Sequence, residues 1–131
     1  MNEVRVEQGA VSDVRAAGKV LAESKIETIW DGTTTVTDVL IVDVGGSNIA
    51  AAMTTVVDRL QKSGWKVLNR GSSVQMASAK WTNTVLDIEG INTYVYDELE
   101  APRTGKIADA RARVGAHVPL ILELHPVGDQ G

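Results

Sequence analysis

The fold is decided by residues 35–65, which read TVTDVLIVDVGGSNIAAAMTTVVDRLQKSGW. Residues 35–44 form a run of β-branched and apolar side chains typical of a strand, and Gly45-Gly46 interrupts it. Apolar residues then recur at the three- and four-residue spacing of an amphipathic helix, at Ile49, Ala52, Met53, Val56, Val57 and Leu60. The stretch therefore predicts a strand, a glycine turn and a helix, in that order.

Both ends of this predicted helix carry residues suited to helix termini. Ser47 or Asn48 can accept a backbone hydrogen bond at its start. Gly64 suits the left-handed position that follows a last helical turn, and Trp65 after it can pack against Leu60. We therefore expect the helix to end at Gly64.

The predicted strand is apolar on both faces at its centre. One face carries four aliphatic residues and the other carries two, namely Val36, Leu40, Val42 and Val44 against Val39 and Ile41. A strand with this pattern is typically covered on both sides. It is therefore predicted to lie inside a sheet.

Weaker patterns come before this stretch. Residues 3–7 alternate as a short edge strand does. A first helix is predicted from a cap at Ser12, and it ends between residues 24 and 30, before an Asp31-Gly32 turn. Its apolar face is formed by Val14, Ala17, Gly18 and Leu21.

After Trp65 the hydrophobic period changes from helical to two, which indicates strands. A hairpin is predicted at 65–70 and 74–81, then strands at 84–89, 91–96 and 117–127, a loop at 97–105 and a short helix at 106–114. Pro119 predicts a strand end or an edge strand. The whole chain, 1–131, is predicted to be a single α+β domain with two helices on a mostly antiparallel sheet of five to six strands. One parallel crossover between the strands before and after the second helix, and so a mixed sheet, is the alternative.

The composition excludes several classes of function. A net charge of −4 argues against a general nucleic-acid binder, because contacts with phosphates need a basic surface. The chain has no cysteine, which removes disulfides, cysteine-based zinc sites and thiol catalysis. No apolar run reaches membrane-spanning length and the start is not a signal peptide, so a cytoplasmic protein is expected. A secreted protein without its leader is the alternative.

The stretch from Asp43 to Asn48, Asp-Val-Gly-Gly-Ser-Asn, resembles the first phosphate-binding loop of the sugar-kinase and actin-like ATPase family. The resemblance implies backbone amides near phosphate oxygens and an aspartate near a metal ion. In that family the loop lies inside a hairpin of a much larger two-domain protein, whereas here it precedes a helix. We therefore predict a structural turn and no bound cofactor.

Acidic and tyrosine residues supply the candidate partner-binding site. Asp87 and Glu89 share a strand face, and more carboxylates follow in the sequence. Tyr94 and Tyr96 share the face of another predicted strand, and tyrosine is common in binding hot spots. The predicted partner-binding residues are Tyr94, Tyr96, Asp97, Glu98 and Glu100.

Neither catalysis nor metal binding is predicted. His117 and His125 lie at opposite ends of one predicted strand, about 26 Å apart by strand rise, so that strand cannot bring both to one metal beside Glu123. Ser72-Ser73 lie in a turn without a nearby histidine. The basic residues between 103 and 113 are expected to form a solvated helix.

The order helix, strand, helix, then hairpins, with Leu60-Gln-Lys-Ser-Gly64-Trp65 at the second helix end, resembles small lipoprotein-type and immunity-type domains of high-GC Gram-positive bacteria and their phages. The resemblance implies a non-catalytic binding role. We therefore expect an inhibitor or immunity-type protein that masks a protein partner. The alternatives are a structural or accessory subunit of a phage particle or homo-oligomer and, more distantly, an anion or nucleotide binder that uses Gly45-Gly46.

Overall fold

The computed structural model describes residues 2–71, 73–90 and 118–127. Within them the chain forms two helices and seven strands: β1 (Asn2–Val4), α1 (Gln8–Arg15), β2 (Lys19–Trp30), β3 (Thr33–Asp43), α2 (Ile49–Lys62), β4 (Trp65–Arg70), β5 (Val74–Ser78), β6 (Thr84–Gly90) and β7 (Leu120–Pro126). The α+β class is confirmed, but the sheet has more strands than the five to six predicted.

All seven strands belong to one mixed sheet. Its order is β2-β3-β7-β6-β5-β4, and each neighbouring pair is antiparallel. β1 pairs in parallel with the first residues of β3, on the edge that β7 occupies further along. The mixed-sheet alternative is therefore correct. Its parallel pair, however, is β1 with β3, not the two strands that flank α2.

Strand β3 lies inside the sheet, as its sequence predicts. Leu40 and Val42 belong to the main core, together with the buried residues of α1 and α2. Val39 and Ile41 belong to a second, smaller cluster with Ile121. Both helices thus pack on one side of the sheet, which we call the helix face. The other side is called the opposite face.

Helix α2 has the ends that the sequence predicts. Asn48 is its N-cap, and the Asn48 side chain accepts a hydrogen bond from the Ala51 amide at 2.8 Å. After the helix, Gly64 has a φ of +99°, and its amide donates to the Gln61 carbonyl at 3.1 Å. Trp65 is fully buried in the same core as Leu60. Neither described helix has the length and apolar character needed to cross a membrane.

The first helix was predicted in the wrong place, and this explains the additional strand. Helix α1 begins after Glu7 instead of Ser12 and ends at Arg15. Residues 19–30, predicted in part as helix, form β2 because they pair with β3 along its whole length. Since sheet pairing supplies hydrogen bonds over the whole segment, it overrides the helical spacing of a few apolar side chains.

Strand β7 is also partly different from its prediction. Pro119 comes just before the strand, which fits a strand end. The edge-strand alternative is wrong, because β7 pairs with β3 on one side and β6 on the other. The predicted elements at 91–96, 97–105 and 106–114 lie outside the described residues.

Candidate functional site

The β2–β3 hairpin ends in a two-residue turn at Asp31 and Gly32. Both residues have positive φ angles, 51° and 75°, as a type I′ turn requires. The turn joins Trp30 directly to its cross-strand partner Thr33. This turn type matches the twist of the strands and holds the tip in a defined conformation.

Two large apolar side chains are exposed at this tip. Trp30 is 79% exposed and Ile29 is 65% exposed. The other two tryptophans are not comparable: Trp65 is buried, and the half-buried Trp81 donates through Nε1 to Asp13 at 2.7 Å. Trp30 is therefore the tryptophan that the fold itself does not use.

A second feature is a group of three potential ligand residues on the opposite face. Asp87 on β6 lies directly across from Glu123 on β7, and His125 is two residues further along β7. One ligand atom from each residue lies within 4.8 Å of the other two. We call Asp87, Glu123 and His125 the carboxylate–histidine cluster. The register of β6 against β7 brings the three together.

Hydrogen bonds fix the His125 ring in this cluster. His125 Nε2 lies 3.3 Å from Glu123 Oε1, and Nδ1 lies 3.3 Å from the Thr37 hydroxyl on β3. The hydrogen bond with Glu123 raises the pKa of His125 above its usual value, and the charge of Asp87 adds to this, although burial opposes it. His125 is 40% exposed and Glu123 is 18% exposed, so solvent reaches the histidine more easily.

The cluster also contains a buried polar atom for which the described residues offer no hydrogen-bond partner. Oδ1 of Asp87 is inaccessible to solvent and has no hydrogen-bond partner within the described part of the chain. Buried carboxylate oxygens are normally paired, because leaving one without a hydrogen bond costs free energy. Glu89, the neighbour of Asp87 in the predicted acidic pair, is half-buried on the same strand. It is not a member of the cluster.

The glycine turn that resembles a phosphate-binding loop is occupied by the chain's own groups. The Gly45 amide donates to Asp43 Oδ1 at 2.8 Å, and the Gly46 carbonyl accepts from the Val118 amide at 2.9 Å. A side chain at Gly46 would also meet the backbone of Ala52 at 2.5 Å. The turn therefore positions α2 closely against the sheet, as a structural turn does.

A shallow pocket of about 340 Å³ lies where the β1–α1 segment meets β2 and β3. Its lining is mostly charged: Arg5, Arg15, Glu23, Ser24, Lys25 and Asp38. Arg5 makes two hydrogen bonds to Asp38, at 2.7 and 3.3 Å, and Arg15 donates to Glu23 at 2.7 Å. These bonds raise the pKa of both guanidinium groups, and they attach the first segment of the chain to the sheet.

The predicted partner-binding residues lie outside the described part of the structure. This applies to Tyr94, Tyr96, Asp97, Glu98 and Glu100, to His117 and to the basic residues of 103–113. Of the three residues for which the sequence predicts no shared metal site, His125 and Glu123 are described, and they lie together. The prediction of no metal site considered one strand alone and did not include Asp87 as their neighbour.

Two candidate features were not predicted from the sequence. Trp30 lies at the end of the 24–30 interval in which the first predicted helix ends, so the sequence predicts no strand there. The Asp31-Gly32 pair before a threonine-rich strand was the available signal for a hairpin. The cluster depends on the pairing of residues that are about 36 positions apart, and one sequence contains no direct signal for that register.

No known protein-family model matches this chain, and the searches of curated proteins and of solved structures likewise find no match.

Proposed function

We propose that this protein is a non-catalytic protein-binding module that engages its partner through the tip of the β2–β3 hairpin. The observation that carries the proposal is the exposure of Trp30 and Ile29 at that tip. More specifically, we propose an inhibitor or immunity-type protein that masks its partner.

An exposed tryptophan offers a large apolar surface to a binding partner. An indole buries about 150–250 Å² when it is covered, and tryptophan is enriched among the residues that dominate binding energy. The type I′ turn holds the tip in place before binding, so little conformational entropy is lost when a partner covers it. A partner with an apolar pocket therefore fits this tip.

The state of the glycine turn supports a binding role over nucleotide chemistry. Asp43, which the resemblance would place near a metal ion, accepts a hydrogen bond from the Gly45 amide, and Asn48 accepts one from the Ala51 amide. A nucleotide would have to displace these bonds and approach Gly46, which packs tightly against α2. We therefore do not favour the nucleotide-binding alternative.

Self-association is the second candidate, and a specific observation favours it. β2 is 12 residues long, and among the described strands it pairs with β3 alone. Its last five residues, 26–30, lie at the hairpin end, where an added strand from a second copy would extend the sheet. Such a subunit would have a multiple of the monomer mass in solution, whereas a masking protein can be a monomer. Light scattering after size-exclusion chromatography separates the two.

The main experiment compares Trp30→Ala with Leu68→Ala, which removes another exposed apolar side chain, 59% exposed, from a strand outside the hairpin. Each immobilised protein is exposed to lysate of the native host, and bound proteins are quantified by mass spectrometry. A partner held by wild type and Leu68→Ala and lost with Trp30→Ala is the expected result. Surface plasmon resonance with that purified partner should then show at least tenfold faster dissociation for Trp30→Ala. Equal retention by both variants would place the interface elsewhere.

The same assay tests the sequence-based site. Replacing Tyr94 and Tyr96 with alanine is expected to speed dissociation if that strand face binds the partner. Neutralising Asp97, Glu98 and Glu100 is expected to slow association and reduce its salt dependence. Wild-type kinetics in both variants, together with a defect in Trp30→Ala, would assign binding to the hairpin alone.

A further inference from the structure

The carboxylate–histidine cluster brings two acidic groups face to face. Asp87 and Glu123 are direct cross-strand partners on β6 and β7, and both are half-buried. Like charges opposite each other on neighbouring strands destabilise a sheet, and partial burial strengthens the repulsion. A positive charge between them would reverse the sign of this interaction.

The separations between the three ligand atoms match those around a small metal ion. Zn²⁺ binds nitrogen and oxygen at about 2.0–2.2 Å, so two ligands of a tetrahedral site lie roughly 3.4 Å apart. Nε2 of His125 and Oε1 of Glu123 are 3.3 Å apart, and the atom from Asp87 completes a triangle with no side longer than 4.8 Å. Small side-chain rotations would bring all three atoms to bonding distance of one ion.

Two further contacts fit a ligand set. Oδ1 of Asp87, buried and without a hydrogen-bond partner in the described part of the chain, would gain a partner in a bound ion. The Thr37 hydroxyl lies at Nδ1 of His125, which leaves Nε2 directed towards the carboxylates. Histidine ligands in metal sites are held in this way by a hydrogen bond at the second ring nitrogen.

We propose that Asp87, Glu123 and His125 bind a divalent transition-metal ion, with Zn²⁺ as the best match, and that Thr37 orients the histidine. The imidazole ligand favours Zn²⁺ and related ions over Mg²⁺ and Ca²⁺, which prefer oxygen ligands. Three protein ligands leave a fourth position for water or for a group from a partner. The proposal is independent of the hairpin tip, which is a separate part of the molecule.

The test is isothermal titration of tag-free, EDTA-treated protein with ZnCl₂. Wild type should bind one ion per chain, and Asp87→Asn, Glu123→Gln and His125→Gln should each weaken binding at least tenfold. Asp58→Asn, which removes an exposed carboxylate from α2, and His117→Gln, which removes the other histidine of the sequence, are the matched controls. Both controls should bind as wild type does.

Thr37→Val separates orientation from ligation. It keeps the shape of the side chain and removes the hydroxyl at Nδ1, and losses of about 10–100-fold are typical for such supporting contacts. Circular dichroism of each variant without metal checks that it is folded. A wild type that binds no zinc, unchanged binding in any of the three ligand variants, or an equal loss in His117→Gln or Asp58→Asn would overturn the proposal. If wild type binds no zinc, protonated His125 alone offsets the repulsion between the carboxylates of Asp87 and Glu123.

Discussion

On the helix face, β6 and β7 present Leu86, Ile88, Leu122 and Leu124, all fully buried beneath the two helices. On the opposite face, the alternate residues of the same two strands include Asp87, Glu123 and His125, which are half-buried and polar. The helix-face residues and the opposite-face residues thus belong to the same two strands in the same register. Both described helices pack on the helix face, and the two faces carry side chains of different chemistry.

Most of the buried apolar core lies on the helix face, whereas the candidate binding groups lie on the opposite face, beside the smaller cluster of Val39, Ile41 and Ile121. The residues of the helix face are held by apolar burial, worth about 1.5–3 kcal/mol for each large side chain. On the opposite face, Trp30 and the carboxylate–histidine cluster add little apolar burial and carry the groups able to bind a partner or an ion. Substitutions on the two faces should therefore have effects of different kinds.

The largest effect is expected from Trp65→Ala on β4, because the tryptophan is 1% exposed in the helix-face core. Removing it should lower the free energy of unfolding by about 3–5 kcal/mol, measured by urea denaturation. Thr28→Ala, at an exposed position of β2 on the opposite face, is the comparison and should cost at most about 0.5 kcal/mol. Similar costs for the two would contradict the separation of the faces.

A smaller effect is expected from Gly64→Val, which acts on the connection between α2 and the helix face. Gly64 has a φ of +99°, and a β-branched residue in that conformation should cost about 1–2 kcal/mol. Among the described residues, apart from the two chain neighbours of Gly64, no atom lies within 4 Å of the position that a Cβ would occupy, so the cost comes from the backbone and not from a clash. Asparagine tolerates this conformation better than valine does. Gly64→Asn should therefore be more stable than Gly64→Val in a thermal melt. An unchanged melting temperature for Gly64→Val would contradict the assigned helix end.

The smallest effect concerns pH and the opposite face. Glu123 and Asp87 raise the pKa of His125 in the folded protein, so protonated His125 stabilises the fold. This contribution is fully present below the unfolded pKa of about 6.5 and is lost as pH rises through the folded pKa. Urea denaturation in EDTA should show wild type more stable relative to His125→Gln at acidic pH than at alkaline pH. A constant difference across this range would show that the ion pair contributes no stability.

The segment from β3 to β4 could be predicted from the sequence because its signals are local. Strand β3 has apolar residues on both faces, and Asn48 and Gly64 mark the ends of α2 within a few positions. Each of these features depends on neighbours along the chain, so it can be read from the sequence. The tertiary contacts of the fold agree with it. Trp65, the residue after Gly64, is buried in the core.

Strand β2 and the cluster could not be predicted in the same way. β2 lies mostly exposed outside β3, so it lacks a clear alternating pattern, and Val14, Ala17 and Leu21 happen to repeat at helical spacing. The cluster requires Asp87 to pair with Glu123 across two strands, and Thr37 to reach His125 from a third. These contacts follow from sheet register, which local propensity does not determine.

The place of β7 in the sheet has a consequence for synthesis of the chain. β7 pairs with β3, which comes about 80 residues earlier, and with β6. Before residues 120–126 leave the ribosome, the described strands can form only two separate groups, β1-β2-β3 and β4-β5-β6. Joining residues so far apart in sequence is a slow step in folding. During that interval the residues of β3 and β6 that pair with β7 still lack that strand, and the nascent chain is then most exposed to strand exchange with other chains.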